Sequence, residues 1–317
     1  MVINLYVNGQ LGNRLLHISS FIVNSAEYDY KFYYLSFPSA YQEYFNIHDN
    51  HALKQTKARF RFSRLPVINT IMIAGARALL TLCRRAQQLP YLDYLTIVRP
   101  AQVNQGVYYD LNDTRYIEKA RKKLLFVEGW RFTDPGNMSK HLSLIRELFA
   151  PREKYAHVIH TITQKARNFG EVLVGVHIRR GDYKHYQNGK WYYDDAIYSS
   201  FMHDMQQVLM EGSGYKSVVF IICSDEAIDV KQFHSLPVVY VRKSEIIDLY
   251  TLSSCDYILA PPSTFSGWAS YYGNVPIYYI DNPSVPFNED KLTTGLHPHF
   301  TSAATHCKNY YDVLNQQ

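Results

Sequence analysis

Between residues 172 and 280 short apolar runs alternate with helix-like stretches, and this alternation restricts the fold more than any other feature of the chain. Strands are expected at 172–178, 218–223, 238–241, 257–260 and 277–280, and helices near 197–210, at 228–233, at 246–254 and from Thr264 onward. The 197–210 stretch carries Ile197, Phe201, Met205, Val208 and Leu209 at spacings that share one helical face. Apolar strands alternating with amphipathic helices imply a doubly wound parallel sheet. Such sheets bind ligands beyond the carboxyl ends of the strands, where strand order reverses, so the loops that follow each strand carry the functional argument.

The first half opens as βαβ: a strand at 2–7, a glycine-containing loop at 8–13, a helix at 14–26 and a strand at 31–36. With 317 residues the chain exceeds one usual core, so two domains are expected. Breaker signals at Pro135-Gly136 and at Ala150-Pro151, the latter after a helix-like run at 139–149, put the boundary near Pro151, giving domains 1–150 and 151–317. The last twenty or so residues are expected to pack back on the first domain.

A hydrophobic content of 47% with 19% charged residues excludes extended disorder. The net charge of +5 suits an anionic ligand or surface, but the 33 basic residues are spread rather than gathered into runs, so nucleic acid is not favoured. Twenty-eight tyrosines offer apolar faces and hydroxyl rims for sugars, or simply fill cores. The four cysteines stand far apart without metal-ligand spacing, which fits a reducing cytoplasm. The strand-like run at 2–7 shows no basic n-region, apolar h-region or cleavage site before it, so export by a recognisable signal is not expected.

Residues 54–90 break the pattern, with basic residues at both ends of an apolar run from Leu65 to Leu82. Asn69 and Arg77 interrupt a run of about 18 residues, too short and too polar for a convincing transmembrane helix. The plainer reading is a buried helix. The sharper one is an interfacial helix, with Arg59, Arg61, Arg64, Arg84 and Arg85 meeting anionic headgroups.

Four loops carry chemistry. The strand at 172–178 ends in His177-Ile178-Arg179-Arg180-Gly181-Asp182-Tyr183. A guanidinium cannot lose its proton at working pH and its fork matches two phosphate oxygens, so paired arginines suit a diphosphate, although an Arg180–Asp182 salt bridge would use the same residues structurally. Asp225, after the strand at 218–223, can accept from a base or ribose, or cap a helix. Ser263, Thr264 and Ser266 stand where a helix begins, and the unpaired N–H groups of a helix start hold phosphate without metal; an ordinary cap reads the same way. In the fourth loop, Gly9 to Arg14, the glycines permit close backbone approach and Asn13 or Arg14 can donate, but the third glycine of a dinucleotide fingerprint is missing.

Together GQLGNR at 9–14, VEGWRFTD at 127–134, VGVHIRRGDY at 174–183, CSDE at 223–226 and SSCDYILAPPSTFSGWASYYG at 253–273 resemble the fucosyltransferase superfamily, closest to glycosyltransferase family 11, the α-1,2-fucosyltransferases. The resemblance covers most of the chain apart from about residues 45–120. It implies an α/β GT-B fold of two Rossmann-like domains facing a central cleft, an N-terminal acceptor-side domain and a C-terminal domain for GDP-fucose. It also implies inversion and no divalent metal or other cofactor. Carried over by position, Arg179 looks like the arginine that binds the β-phosphate and stabilises leaving GDP, with Arg180 a second, partly structural neighbour. His177 and Asp225 fall where related enzymes contact the nucleoside, Ser263, Thr264 and Ser266 where they meet phosphate, and Asn13 where the diphosphate is approached from the other domain. Two departures stand out: Arg14 where many members have Gln, and Gly267-Trp268 where many have paired Trp.

The activity so implied is transfer of L-fucose to a glycan hydroxyl, such as O-2 of a galactose-type residue, in surface polysaccharide or oligosaccharide synthesis. Asp182, Glu128 and Asp134 are candidate general bases, unless the leaving phosphate takes the proton itself. A lipid-linked acceptor would suit a cytoplasmic enzyme peripheral to the inner face of the membrane. Two rival readings stay open: a GT-B transferase with another nucleotide sugar or a peptide acceptor, and a non-catalytic nucleotide- or polyanion-binding protein, whose binding would fall steeply with salt.

Overall fold

The computed structural model describes residues 1–5, 9–48, 50–86, 95–98, 108–129 and 131–298. The chain divides into two compact units at Ala150/Pro151, the second ending at His297. The expected return of the last residues onto the first unit concerns residues 299–317, which lie outside the described residues.

In the first unit, strands β1 (Val2–Asn4), β2 (Phe32–Tyr34), β3 (Ala58–Arg59) and β4 (Leu95–Val98) precede a short strand β5 (Tyr109–Asp110), then β6 (Leu124–Val127) and β7 (Phe132–Thr133). The main sheet is parallel in the order β3-β2-β1-β6-β4, with β5 and β7 forming a separate parallel pair. Helix α1 (Leu11–Tyr28) begins two residues after Gly9 and is buried along nearly its whole length. Its Asn24 reaches across to Leu111 and Asp134, which ties the helix to the far end of the unit. Short helices α2 (Ser39–Gln42) and α3 (His51–Gln55) lead to the long α4 (Pro66–Ala86), and α5 (Thr114–Lys122) precedes β6. The helix expected at 139–149 is two helices, α6 (Pro135–Lys140) and α7 (Leu142–Leu148), broken at His141.

Helix α4 overturns the expectation of a buried helix at 54–90. One stripe, Ala76, Leu80 and Cys83, packs on Ile3, Ile97 and Phe126 of the sheet. The opposite side is open, and only 17% of the window from Pro66 to Arg85 is buried. Length and composition alone would let this helix cross a membrane. Its packed stripe binds it to the sheet instead.

The second unit runs α8 (Glu153–Arg167), β8 (Val172–Ile178), α9 (Asp195–Glu211), β9 (Val218–Ser224), β10 (Val238–Val241), α10 (Glu245–Leu252), β11 (Tyr257–Ala260), α11 (Thr264–Gly273), β12 (Pro276–Tyr279) and β13 (Thr293–Thr294). The element expected at 228–233 is a single 3₁₀ turn, Val230–Phe233. The sheet order is β10-β9-β8-β11-β12-β13, parallel except for β13. Every residue of β8 and β9 is buried, as parallel strands covered on both faces require. Val172, Val174, Val176 and Ile178 pack with Tyr198, Phe201, Met202, Met205 and Leu209 of α9. On the other face a Cβ at Gly175 would stand 2.8 Å from Leu252 of α10, so only glycine lets that helix come so near. The strand order reverses between β8 and β11, and the Arg179 loop and the Ser263 loop leave those two strands.

Candidate functional site

Ile178 is the last residue of β8, so Arg179 emerges at the carboxyl edge of the sheet. Its Nη2 lies 2.8 Å from Asp182 and its Nη1 3.1 Å from Asp225. The side chain is 16% exposed, and its guanidinium carbon sits 5.8 Å from the centre of the Tyr183 ring. Two carboxylates thus aim one fork. They differ in their surroundings: the Asp182 side chain is 61% exposed and that of Asp225 22%, so Asp225 is the fixed partner.

Asp225 also accepts from the backbone N–H of Arg180 at 3.0 Å. This explains Gly181, where a Cβ would stand 2.8 Å from Asp225 Oδ2. The structural salt bridge considered for this motif, Arg180 with Asp182, is not the pairing found. Arg180 turns away, donating Nε to the Tyr193 carbonyl at 3.1 Å and Nη2 to Asp195. One arginine faces the strand-end loops and the other pins the loop to the start of α9.

His177 is 4% exposed, with its ring centre 5.0 Å from that of Phe265. Its Nδ1 is buried without a hydrogen-bond partner. Burial, reinforced by the Arg179 charge, lowers its pKa from 6.5 to about 3. The unfolded chain therefore takes up a proton below pH 6.5 that folded His177 refuses until about pH 3. The stability linked to this residue is complete above pH 6.5 and declines as pH falls toward 3, by about 1.4 kcal/mol per unit at most. Thermal melts from pH 7 to pH 4 are expected to show this slope, and His177→Gln should flatten it; an unchanged slope would contradict the assignment.

One strand over, Ser263 caps α11, its Oγ accepting from the Phe265 N–H at 3.1 Å. The Tyr183 hydroxyl donates to the Pro262 carbonyl at 2.5 Å, which joins the Arg179 loop to the Ser263 loop. The three hydroxyls expected to face phosphate therefore part company. Ser263 is 5% exposed, Ser266 is fully buried and donates to the Ser263 carbonyl at 3.4 Å, and Thr264 is partly exposed at the mouth of the helix. Gly267 has a steric cause: a Cβ there would stand 2.7 Å from Leu296 and 3.0 Å from the Tyr279 hydroxyl, so a Trp does not fit.

Asn13 and Arg14 belong to the first unit. Gly9 takes the left-handed φ of 42°, which places Asn13 within 2.6 Å of any Cβ added there. Arg14 is 7% exposed and donates Nε to the Gly9 carbonyl at 2.9 Å and Nη1 to the Ser36 carbonyl at 3.3 Å. In this structure it holds the loop.

Of the candidate bases, Asp134 is excluded by its surroundings. It is fully buried and accepts from Asn24, Asn112 and both the backbone and side chain of Asn137. Glu128 follows β6 and pairs with Arg84. Sequence reasoning passed over Asp248 of α10, whose carboxyl is pushed up to about 7 by burial against a bond from the Lys243 N–H. A helical Asp flanked by apolar residues gives no sign in sequence that it will be buried. Several tyrosines prove structural: Tyr30, for example, bonds Asn24 and Tyr116 inside the first unit. Cys83, Cys223 and Cys255 are free and buried, and Cys307 lies outside the described residues.

Two α/β units built on parallel sheets, the second carrying an arginine and a helix start on either side of its switch point, correspond to the GT-B fold. Residues 150–292 match the model of glycosyl transferase family 11, the family whose motifs they resemble. No curated protein sequence matches the chain. Among solved structures, a variant of Arabidopsis thaliana FUT1 in complex with GDP is similar at 11% identity and a TM-score of 0.55, covering 92% of this chain and 73% of that one. The fucosyltransferase NodZ from Bradyrhizobium is 16% identical with a TM-score of 0.48, over 88% of this chain and 96% of that one. POFUT1 in complex with GDP is 10% identical, also at 0.48, over 86% and 93%. The likeness to FUT1, at 11% identity, establishes the fold alone.

Proposed function

We propose that this chain transfers L-fucose from GDP-fucose, with inversion, to a hydroxyl of a glycan, with O-2 of a galactose-type residue the favoured position. The observation that carries this reading is the placement of Arg179: a largely shielded side chain oriented by Asp182 and Asp225 at the end of β8, joined through Tyr183 to the start of α11. As the fucosyl–oxygen bond breaks, negative charge grows on the β-phosphate. A pre-aimed fork and the N–H groups at the start of α11 bind that charge more tightly than they bind the substrate. The exposed Asp182 is the partner a phosphate displaces, and once released it is the candidate base for the acceptor hydroxyl. In this reading residues 151–297 bind the donor and residues 1–150 serve the acceptor.

Among the described residues no group of three His, Cys, Asp or Glu side chains is placed to hold a metal ion. Calorimetry with GDP, GDP-fucose, GDP-mannose and dTDP-linked sugars, with and without EDTA, tests both donor and metal. Micromolar binding selective for the guanosine nucleotides and unchanged by EDTA is expected. Preference for another nucleotide sugar, or loss of binding in EDTA, would overturn the reading.

A further inference from the structure

Helix α4 is apolar on both sides, and among the described residues only one side has a partner. Ala76, Leu80 and Cys83 face the sheet. Val67, Ile71 and Leu82, which recur on the opposite side at helical spacing, are 72%, 65% and 61% exposed, with Ile68 and Met72 beside them. Of the twelve large apolar side chains exposed among the described residues, six lie between Leu65 and Leu82. Scattered exposed apolar residues need no explanation, but a contiguous row marks a contact surface.

The charge around this row has one sign. From residue 50 to residue 92 the sequence holds eight Lys and Arg and no Asp or Glu. Three of the eight are engaged: Lys57 with Asp29, Arg59 with the carbonyls of Leu53, Thr56 and Ala58, and Arg84 with Glu128. Lys54, Arg61, Arg64, Arg77 and Arg85 make no ion pair among the described residues. Just before α4 a cavity of about 290 Å³ is lined by Lys54, Arg59, Arg61, Ser63 and Arg64 together with Phe60 and Phe62. It is a concave site rich in donors for an anion, and Leu65, 60% exposed, follows the lining residue Arg64 directly in the chain.

A free anion would satisfy the cavity and leave the helix bare, and an apolar protein surface would cover the helix and leave the cations unpaired. One occupant satisfies both: a bilayer with anionic phospholipid. We propose that α4 lies in the headgroup region of such a membrane, its Val67–Ile71–Leu82 side in the acyl boundary and a lipid phosphate in the Lys54–Arg61–Arg64 cavity. The packed inner stripe keeps the helix lying on the membrane rather than spanning it. This surface belongs wholly to the first unit, and it does not depend on which sugar the second unit handles.

The test is cosedimentation of the 317-residue protein with vesicles of phosphatidylcholine alone or with phosphatidylglycerol. Wild type is expected to bind the mixed vesicles, less so at high salt, and the neutral vesicles weakly. Arg61→Glu/Arg64→Glu and Ile71→Asp/Met72→Asp each alter exposed or half-exposed side chains and should each weaken binding on the order of 10-fold or more. Phe169→Asp, at an exposed apolar residue of the second unit, should leave it unchanged. Melting temperatures and GDP binding equal to wild type show that the variants fold. Failure of wild type to bind mixed vesicles, equal binding by the α4 variants, or an equal loss with Phe169→Asp would overturn the proposal. So would a wild-type dimer that Ile71→Asp/Met72→Asp makes monomeric, which would assign the row to a second copy of the chain.

Discussion

Replacing Arg179 with alanine is expected to lower transfer from GDP-fucose by about 10²–10³-fold or more, the usual cost of removing a fixed donor aimed at charge that develops in the transition state. The structure sharpens this expectation. Asp182 and Asp225 already hold the fork, so no conformational search precedes phosphate binding. Truncation would also leave Asp225, only 22% exposed, without its cationic partner. GDP affinity should therefore fall together with turnover. Arg179→Lys should rescue little, because a single ammonium cannot meet two carboxylates and a phosphate as a planar fork does. Single-turnover rates and GDP calorimetry on the three proteins decide the matter. An alanine variant within a few-fold of wild type in both would remove Arg179 from the mechanism.

Asp134→Ala should destabilise the first unit by about 3–5 kcal/mol, the range for breaking a buried charged network from one side. The carboxylate is fully buried and receives four hydrogen bonds, three from side-chain amides and one from a backbone N–H. Without it, the half-buried amide of Asn112 before α5 and one N–H each of Asn24 on α1 and Asn137 on α6 would lose their acceptor, at a cost of about 1–3 kcal/mol for each buried group before relaxation. Asp134→Asn should cost less, since one oxygen remains to accept, though its new N–H₂ must find an acceptor among donors. Urea unfolding of wild type and both variants measures this, and GDP binding by residues 151–297 should survive in conditions where the folded state persists. An alanine variant as stable as wild type would show that the network is not what joins α1 to the end of the unit.

The second unit was legible because both signals it depends on are local. Strands buried on both faces must be apolar throughout, and the helices that cover them must be apolar on one side, so β8, β9 and α9 could be placed from residue types alone. The same holds for the motifs. A glycine and two arginines at the end of a buried strand, and serines at the start of a helix, are set by the chain's own geometry at a strand or helix end. The first unit was less legible. Residues 139–149 have one continuous helical pattern, yet form two helices broken at His141, whose Nε2 meets Glu27 from α1 at 2.9 Å.

What the sequence determined by itself is the parallel α/β character of residues 151–297, the two strand ends that flank its switch point, and the arginine at one of them. Tertiary structure alone decided which carboxylate pairs with which arginine, since Asp195 lies fifteen residues and Asp225 forty-six from the cations they hold, and pairing at that range depends on how loops meet at a sheet edge. It also decided that Asp134 is a buried hub rather than a base, that Ser266 turns inward while Thr264 does not, and that α4 leaves one apolar side uncovered. Periodicity reports that a helix has apolar faces; only the packing of the rest of the chain determines which of them are covered.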